Sequence, residues 1–159
     1  MYFVIAGGGQ VGFHLSQALL ESGHEIMLIE SDRRRAQWIE EQLGSIVINA
    51  PADEGRSQVE AGCARADAVI AVTGDDAKNL VICQLAKYKC HAPRVIARVN
   101  NPKNNIEFHA LSIDHTVPST PVPMPAPRRR PTARVPPATT THPTPHLAPT
   151  QHDPPPPTP

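Results

Sequence analysis

The sequence predicts an α/β fold, a doubly wound parallel sheet of about six strands with helices on both faces, followed by a disordered Pro-rich tail. Three observations predict it. Short apolar runs alternate with amphipathic helical stretches through the first 117 residues, and such alternation means a parallel sheet with right-handed crossovers. All nine glycines lie between Gly7 and Gly74, three of them directly behind the first apolar run. Sixteen of the 19 prolines lie from Pro118 onward, so two kinds of polymer share one chain.

Tyr2-Phe3-Val4-Ile5-Ala6 is a continuous apolar run closed by glycines, as a strand buried on both faces requires. From Gln10, apolar Val11, Leu15, Ala18 and Leu19 recur at helical spacing, with His14, Gln17 and Glu21 facing outward. Ser22-Gly23 ends that helix, the glycine suiting a left-handed position after the last turn. Residues 25–30 form a second strand. Ser31 or Asp32 can cap the next helix, whose Ala36, Ile39 and Leu43 share a face before Gly44 stops it. Residues 45–49 read as a third strand, 57–61 as a short helix and 67–72 as a fourth strand. Asp75-Asp76 open a helix expected to bury Leu80, Ile82, Cys83, Leu85 and Ala86. Lys87 and Lys89 close it, so charge complements the helix dipole at both ends. Residues 94–99 are a fifth strand, 102–111 a fifth helix and 113–117 a sixth strand.

The pattern divides the chain into a domain, residues 1–117, and a tail, residues 118–159. The domain carries 11 Lys/Arg and 14 Asp/Glu, a net −3; the tail carries four Arg and one Asp, a net +3. The formal zero is a cancellation. A domain of net −3 gives no reason to expect nucleic acid or an anionic membrane as its main partner. In the tail, proline removes backbone donors and the few apolar residues have no period, so disorder with polyproline II character is expected. Its PxxP spacings near Arg128-Arg129-Arg130 fit docking to an SH3-like partner, and a non-native end fits as well. No apolar run reaches the roughly 18–20 residues that span a bilayer, and residues 2–6 lack the basic start of a signal peptide. Cys63, Cys83 and Cys90 are an odd set without CxxC spacing. They read as three reduced, mostly buried thiols, with neither a disulfide framework nor a metal site expected.

Gly7-Gly8-Gly9-Gln10-Val11-Gly12 reads GxGxxG. Alone the pattern is weak, but here it follows a strand, opens a helix and sits in a βαβ unit, the context of a dinucleotide fingerprint. Gly7 permits the tight turn, Gly9 lets backbone approach a pyrophosphate, and Gly12 allows the helix to pack closely on the strand. The helix N-terminus adds N–H groups and partial positive charge. Glu30 ends the second strand, where a carboxylate can accept hydrogen bonds from both adenosine ribose hydroxyls. It would repel a 2′-phosphate and so favours NAD(H), or an adenine nucleotide, over NADP. Arg33, Arg34 and Arg35 pull the other way if one of them pairs with a phosphate; a solvated helix face, or one guanidinium stacked on adenine, is the alternative.

Together Ala6-Gly7-Gly8-Gly9-Gln10-Val11-Gly12, Val72-Thr73-Gly74-Asp75-Asp76 with Asn79-Leu80, and Ile96-Ala97-Arg98-Val99-Asn100-Asn101-Pro102 resemble the N-terminal RCK domain of Trk/Ktr-type potassium-uptake regulatory proteins, the TrkA family. The resemblance covers residues 1 to about 117 and implies a Rossmann-like fold. It also implies a cytosolic regulatory subunit, peripheral to the inner face of the cell membrane, that binds NAD(H), or ATP/ADP, and gates a membrane potassium transporter. Partners would be further copies of the chain, at least as a dimer, and the transporter subunit. The resemblance carries the cleft onto residues 7–11, Glu30, Thr73, Gly74 and Arg98. Thr73-Gly74 follow the fourth strand near the crevice where open α/β sheets bind ligands, although a helix-capping turn would need Thr73 equally. Arg98 can reach a phosphate or pair with Asp75 or Asp76. Two departures stand out. Ala50-Pro51-Ala52 replaces the Gly-Asp-Ala usual beside the adenine, with Asp53 close by, and the proline tail stands where relatives carry a ligand-binding subdomain.

An NAD-dependent oxidoreductase fragment is the enzymatic alternative. No Ser/Tyr/Lys or Cys/His constellation supports it: Tyr88 and Lys89 fall near a helix end, and the histidines are scattered. A degenerate Rossmann scaffold used only for dimer contacts is the third reading. A regulatory, non-catalytic protein is the expectation, with no catalytic residue and no metal.

Overall fold

The structure, a computed structural model, describes residues 1–119; of the tail expected to be disordered, residues 118–159, all but the first two residues lie outside the described residues, and Pro118 ends a strand. Strand and helix alternate as the apolar runs require: β1 (Tyr2–Ala6), α1 (Gln10–Glu21), β2 (Glu25–Glu30), α2 (Arg33–Leu43), β3 (Val47–Asn49), α3 (Gly55–Glu60), β4 (Ala68–Ala71), α4 (Asp76–Tyr88), β5 (Val95–Val99), α5 (Asn105–Ala110) and β6 (His115–Pro118). All neighbouring strands are parallel, in the order β3-β2-β1-β4-β5-β6. The order reverses between β1 and β4. Their carboxyl ends therefore release loops in opposite directions and leave a crevice between them.

Period-two alternation sorts the strand residues onto two faces. Val4, Ala6, Val69, Ala71 and Ala97 pack with Ile82, Cys83 and Ala86 of α4 and Phe108 of α5. Ile5, Leu28, Ile70 and Val72 pack on the other face with Ile39 of α2. Two helices start on side-chain caps. The Asp32 carboxylate accepts from Arg35 N at 2.8 Å, and that of Asp75 from Ala77 N and Lys78 N. Gly23, at φ +81°, occupies the left-handed position expected after α1.

The packing face of α1 differs from the expected apolar stripe. Ala18 is exposed, Val11 is 40% exposed, and the buried residues are Gly12 and Ser16. Small residues prevail because the helix rides directly on the end of β1. A Cβ at Gly12 would overlap the Gly7 carbonyl oxygen, and Ser16 Oγ donates back to Gly12 O at 2.7 Å. In α4, Leu80 and Leu85 are half-buried, while Asn79 joins Ile82, Cys83 and Ala86 inside. The expected helix over 102–111 is a 3-10 turn, Pro102–Asn104, which Asn101 Oδ1 caps through Lys103 N at 3.1 Å, followed by α5.

The expectation of three reduced thiols is corrected. Cys63, in a 3-10 turn after α3, and Cys90, just past α4, are joined in a disulfide with Cα atoms 5.6 Å apart, and Cys83 alone is free. Their separation of 27 positions hides the pairing from any short-spacing rule. α3 packing on α4 brings the two together. Burial, with a smaller contribution from the Asp114 charge, pushes the Cys83 thiol up to about 12.

Candidate functional site

The crevice between the β1 and β4 ends forms a cleft of about 410 Å³. Gly7 turns the chain at φ +109°, and a Cβ there would stand 3.0 Å from Thr73 N, so the two loops meet at their bases. A Cβ on Gly8 would come within 2.6 Å of Ile39 Cδ1 and 2.7 Å of Glu30 Oε2. Gly9 is different. A Cβ there would find only an Arg35 guanidinium nitrogen, at 3.9 Å, so the fold leaves this position open. Gly9 is also the N-cap of α1, with no side chain capping the helix. The first-turn amides thus point toward the glycine loop, the arrangement that receives anions.

Glu30 ends β2 beneath this loop and is 7% exposed. Its Oε2 accepts from Gly8 N at 2.6 Å and its Oε1 from Asp32 N at 2.8 Å. One carboxylate therefore ties the glycine loop to the start of α2. Each oxygen has a second lone pair, so these bonds leave acceptor capacity for a hydroxyl in the cleft.

On the opposite lip, Asn79 is fully buried and holds the loop after β4. Its Oδ1 accepts from Thr73 N at 3.0 Å and Thr73 Oγ1 at 2.5 Å. Its Nδ2 donates to Thr73 O at 3.0 Å and to Arg98 O at 2.8 Å. Asp75, not Thr73, caps α4. Asp76 ties α4 to the loop after β5: its carboxylate accepts from the Asn100 and Asn101 amides and the Asn100 and Asn104 side chains, at 2.6–2.9 Å. Partial burial alone would raise the Asp76 carboxyl, but the Asn100 and Asn101 amides, then the Asn104 and Asn100 side chains, outweigh it and hold it below the ordinary carboxylate value.

Of the residues singled out from sequence, Gly7, Gly8, Gly9, Glu30, Thr73, Gly74 and Arg98 line this cleft. The other three do not. Gln10 is exposed at the start of α1, Gly12 packs beneath Gly7, and Val11 borders a separate apolar groove with Leu15 and Ile70. Arg98 donates from Nε to Ser119 Oγ at 2.9 Å and, among the described residues, pairs with neither Asp75 nor Asp76. Of the three consecutive arginines, Arg35 reaches the cleft, and Lys78 joins it from the first turn of α4. Pro51, Ala52 and Asp53 form the wall below β3. Sequence reasoning missed Lys78 as a cleft residue, gave Asn79 no role beyond its place in the motif, and read Asp76 as a partner of Arg98 and not as the tie between α4 and the loop after β5. The usable signal was their spacing from the Asp75 cap, which puts all three within four residues of it at the start of α4.

A family model described as the TrkA-N domain matches residues 3–119. A protein of Methanothermobacter thermautotrophicus named "Trk system potassium uptake protein TrkA homolog" is 36% identical over 117 residues, which is 74% of this chain. The chain spans 54% of that relative's length. Among solved structures, the TrkA-N domain of inner membrane protein ybaL from Escherichia coli superposes with a TM-score of 0.68 at 21% identity. The match covers 74% of this chain and 87% of that one. The GsuK channel bound to NAD superposes with a TM-score of 0.66 at 21% identity, covering 73% of this chain and 21% of that one. At these identities the structural matches speak for the fold.

Proposed function

Because the chain belongs to the TrkA-N domain family, we propose that it is a nucleotide-binding regulatory part of a potassium uptake system and not an enzyme. The observation that carries this reading is the open position at Gly9 above an uncapped helix N-terminus. Backbone amides there, with the Arg35, Lys78 and Arg98 cations on the same cleft, suit a diphosphate. Gly7, Gly8, Thr73 and Gly74 shape the two lips, and Glu30 takes the ribose hydroxyls.

NAD(H) is the ligand this arrangement favours. Glu30 lies where a 2′-phosphate would meet a buried carboxylate, which disfavours NADP. ATP or ADP shares the adenosine diphosphate half and competes for the same cleft. The relative's name and the NAD-bound neighbour support the reading. Regulation then needs an arrangement for the nucleotide to bias: further copies of the chain and a membrane potassium transporter, with this domain on the cytoplasmic side. No helix among the described residues is long and apolar enough to cross a membrane. A ligand shifts such an equilibrium only through different affinity for its two arrangements.

The test is titration of the protein with NADH, NAD⁺, NADPH, ATP and ADP, following the fluorescence of Trp38, the one tryptophan of the chain. Binding of NADH with NADPH at least about tenfold weaker, a difference of about 1.4 kcal/mol, is expected. Absence of binding to all five would overturn the nucleotide reading.

A further inference from the structure

The disulfide does not sit apart from the cleft. Gln58 of α3, fully buried, lies between them. Its Nε2 donates to Ala52 O at 2.9 Å, in the cleft wall, and to Ile82 O at 3.1 Å, in α4. Its Oε1 faces Cys90 Sγ at 4.0 Å. One side-chain amide thus joins the sulfur pair, the helix under the wall and the wall itself. The contact differs between redox states. In the disulfide, Cys90 has no proton to donate; as a thiol, it can donate to Gln58 Oε1. Reduction also replaces a covalent bond by a non-bonded contact, so the sulfurs must separate where Cys63 is 0% and Cys90 4% exposed. A close-packed interior cannot absorb that locally.

We propose that Cys63 and Cys90 form a thiol–disulfide site that sets the position of the cleft wall at Ala52, and through it the affinity of the cleft for its ligand. The ligand part rests on the nucleotide reading above; the wall part does not. The co-reactant is a small dithiol in one direction and a small disulfide in the other. A reductant thiolate attacks one protein sulfur, the S–S bond breaks, and a mixed disulfide forms. The second reductant thiol then displaces the protein thiol. Two electrons and two protons pass to Cys63 and Cys90, and the reductant leaves as a cyclic disulfide. Cys90, the less enclosed of the two residues and beyond the end of α4, is the one an incoming thiolate would meet first. Cys83 takes no part, because a thiol so resistant to ionisation supplies almost no thiolate.

The experiment compares the full chain oxidised with glutathione disulfide and reduced with dithiothreitol. Denatured thiol counts, amide hydrogen exchange of residues 51–58 and NADH affinity are measured on each form. One thiol is expected in the oxidised form and three in the reduced form. Exchange over residues 51–58 is expected to rise on reduction, and NADH affinity to fall about fivefold or more, both returning on reoxidation. Cys90→Ser is expected to remove the redox dependence and to hold the affinity near that of the reduced form. Three thiols under every condition, or unchanged exchange over residues 51–58, would overturn the proposal. So would equal NADH affinity in the two forms. If NADH binds neither form, the nucleotide reading fails and the exchange result alone decides the wall switch.

Discussion

The Glu30 carboxylate and the Gly8 amide are 2.6 Å apart, and this bond joins the end of β2 to the glycine loop. The residue proposed to take the ribose hydroxyls is thus also a brace for the glycine loop. Glu30→Ala removes a charged acceptor from two amides, Gly8 N and Asp32 N. A loss of about 1.5–3 kcal/mol in unfolding free energy is expected from one such bond, measured by denaturant titration. The same variant is expected to bind NADH more weakly and to discriminate less against NADPH. If only stability falls, Glu30 braces the loop without touching the ligand.

Glycine substitutions separate folding from binding. Gly12→Ala places a methyl group on the Gly7 carbonyl oxygen, which is backbone and cannot step aside. About 1–3 kcal/mol or more of destabilisation is expected from overpacking. Gly9→Ala meets only the end of a flexible arginine. Its melting temperature should stay near that of the parent while NADH binding is lost. Unchanged NADH affinity in Gly9→Ala means that no phosphate crosses Gly9.

Asn79→Ala leaves the Thr73 amide without its partner, while the Thr73 carbonyl keeps Asn100 Nδ2 at 3.2 Å and the hydroxyl keeps Asp75 O at 3.1 Å. An unsatisfied buried group costs about 1–3 kcal/mol, so thermal unfolding should come at a clearly lower temperature. Asn79→Asp keeps the acceptor and loses the donors to Thr73 O and Arg98 O. It also places a charge in a buried site, and it should recover little of the loss.

Asp76 gives a pH dependence of defined sign. Its carboxyl lies below the ordinary 3.8 when folded, chiefly because the Asn100 and Asn101 amides outweigh burial. A depressed folded value contributes stability above the unfolded value, and that contribution is lost as pH falls through the folded one. Asp76→Asn should therefore be less stable than the parent at pH 7. The difference should shrink once the pH drops below about 3.8. A stability difference that stays constant down to pH 2 would rule out the carboxylate as its source.

The domain boundary is testable in the same way. β6 ends at Pro118, and Ser119 N donates to Val99 O at 3.0 Å, closing the sheet edge. The sequence pattern puts the end of the domain at residue 117; β6 carries it further, and we propose that residues 1–119 form the folding unit. A fragment of those residues should unfold at the same temperature as the full chain, within about 2 °C on the scale where 1 kcal/mol moves a domain of this size by roughly 4–8 °C. A markedly lower melting temperature would mean that the segment beyond Ser119 belongs to the fold.

What the sequence determined by itself is what is written within a turn or a strand. Apolar runs marked the strands because a parallel sheet covered on both faces needs little polar alternation. Ser31-Asp32 and Asp75 marked helix starts because a cap bonds two or three residues ahead, and the structure chose Asp32 of the first pair. The spacing of Gly7, Gly9 and Gly12 marked the loop because turn, approach and packing are all local demands. The tertiary structure alone decided which distant groups meet. Gly12 and Ser16 displaced the apolar stripe of α1 because the helix crosses the backbone of Gly7. Glu30 reached Gly8 across 22 residues, Asn79 reached Arg98 across 19, and Cys63 met Cys90 across 27. Those pairings follow from strand order and from α3 resting on α4. The right-handed crossover sets that geometry over tens of residues, beyond the reach of any pattern four or seven residues long.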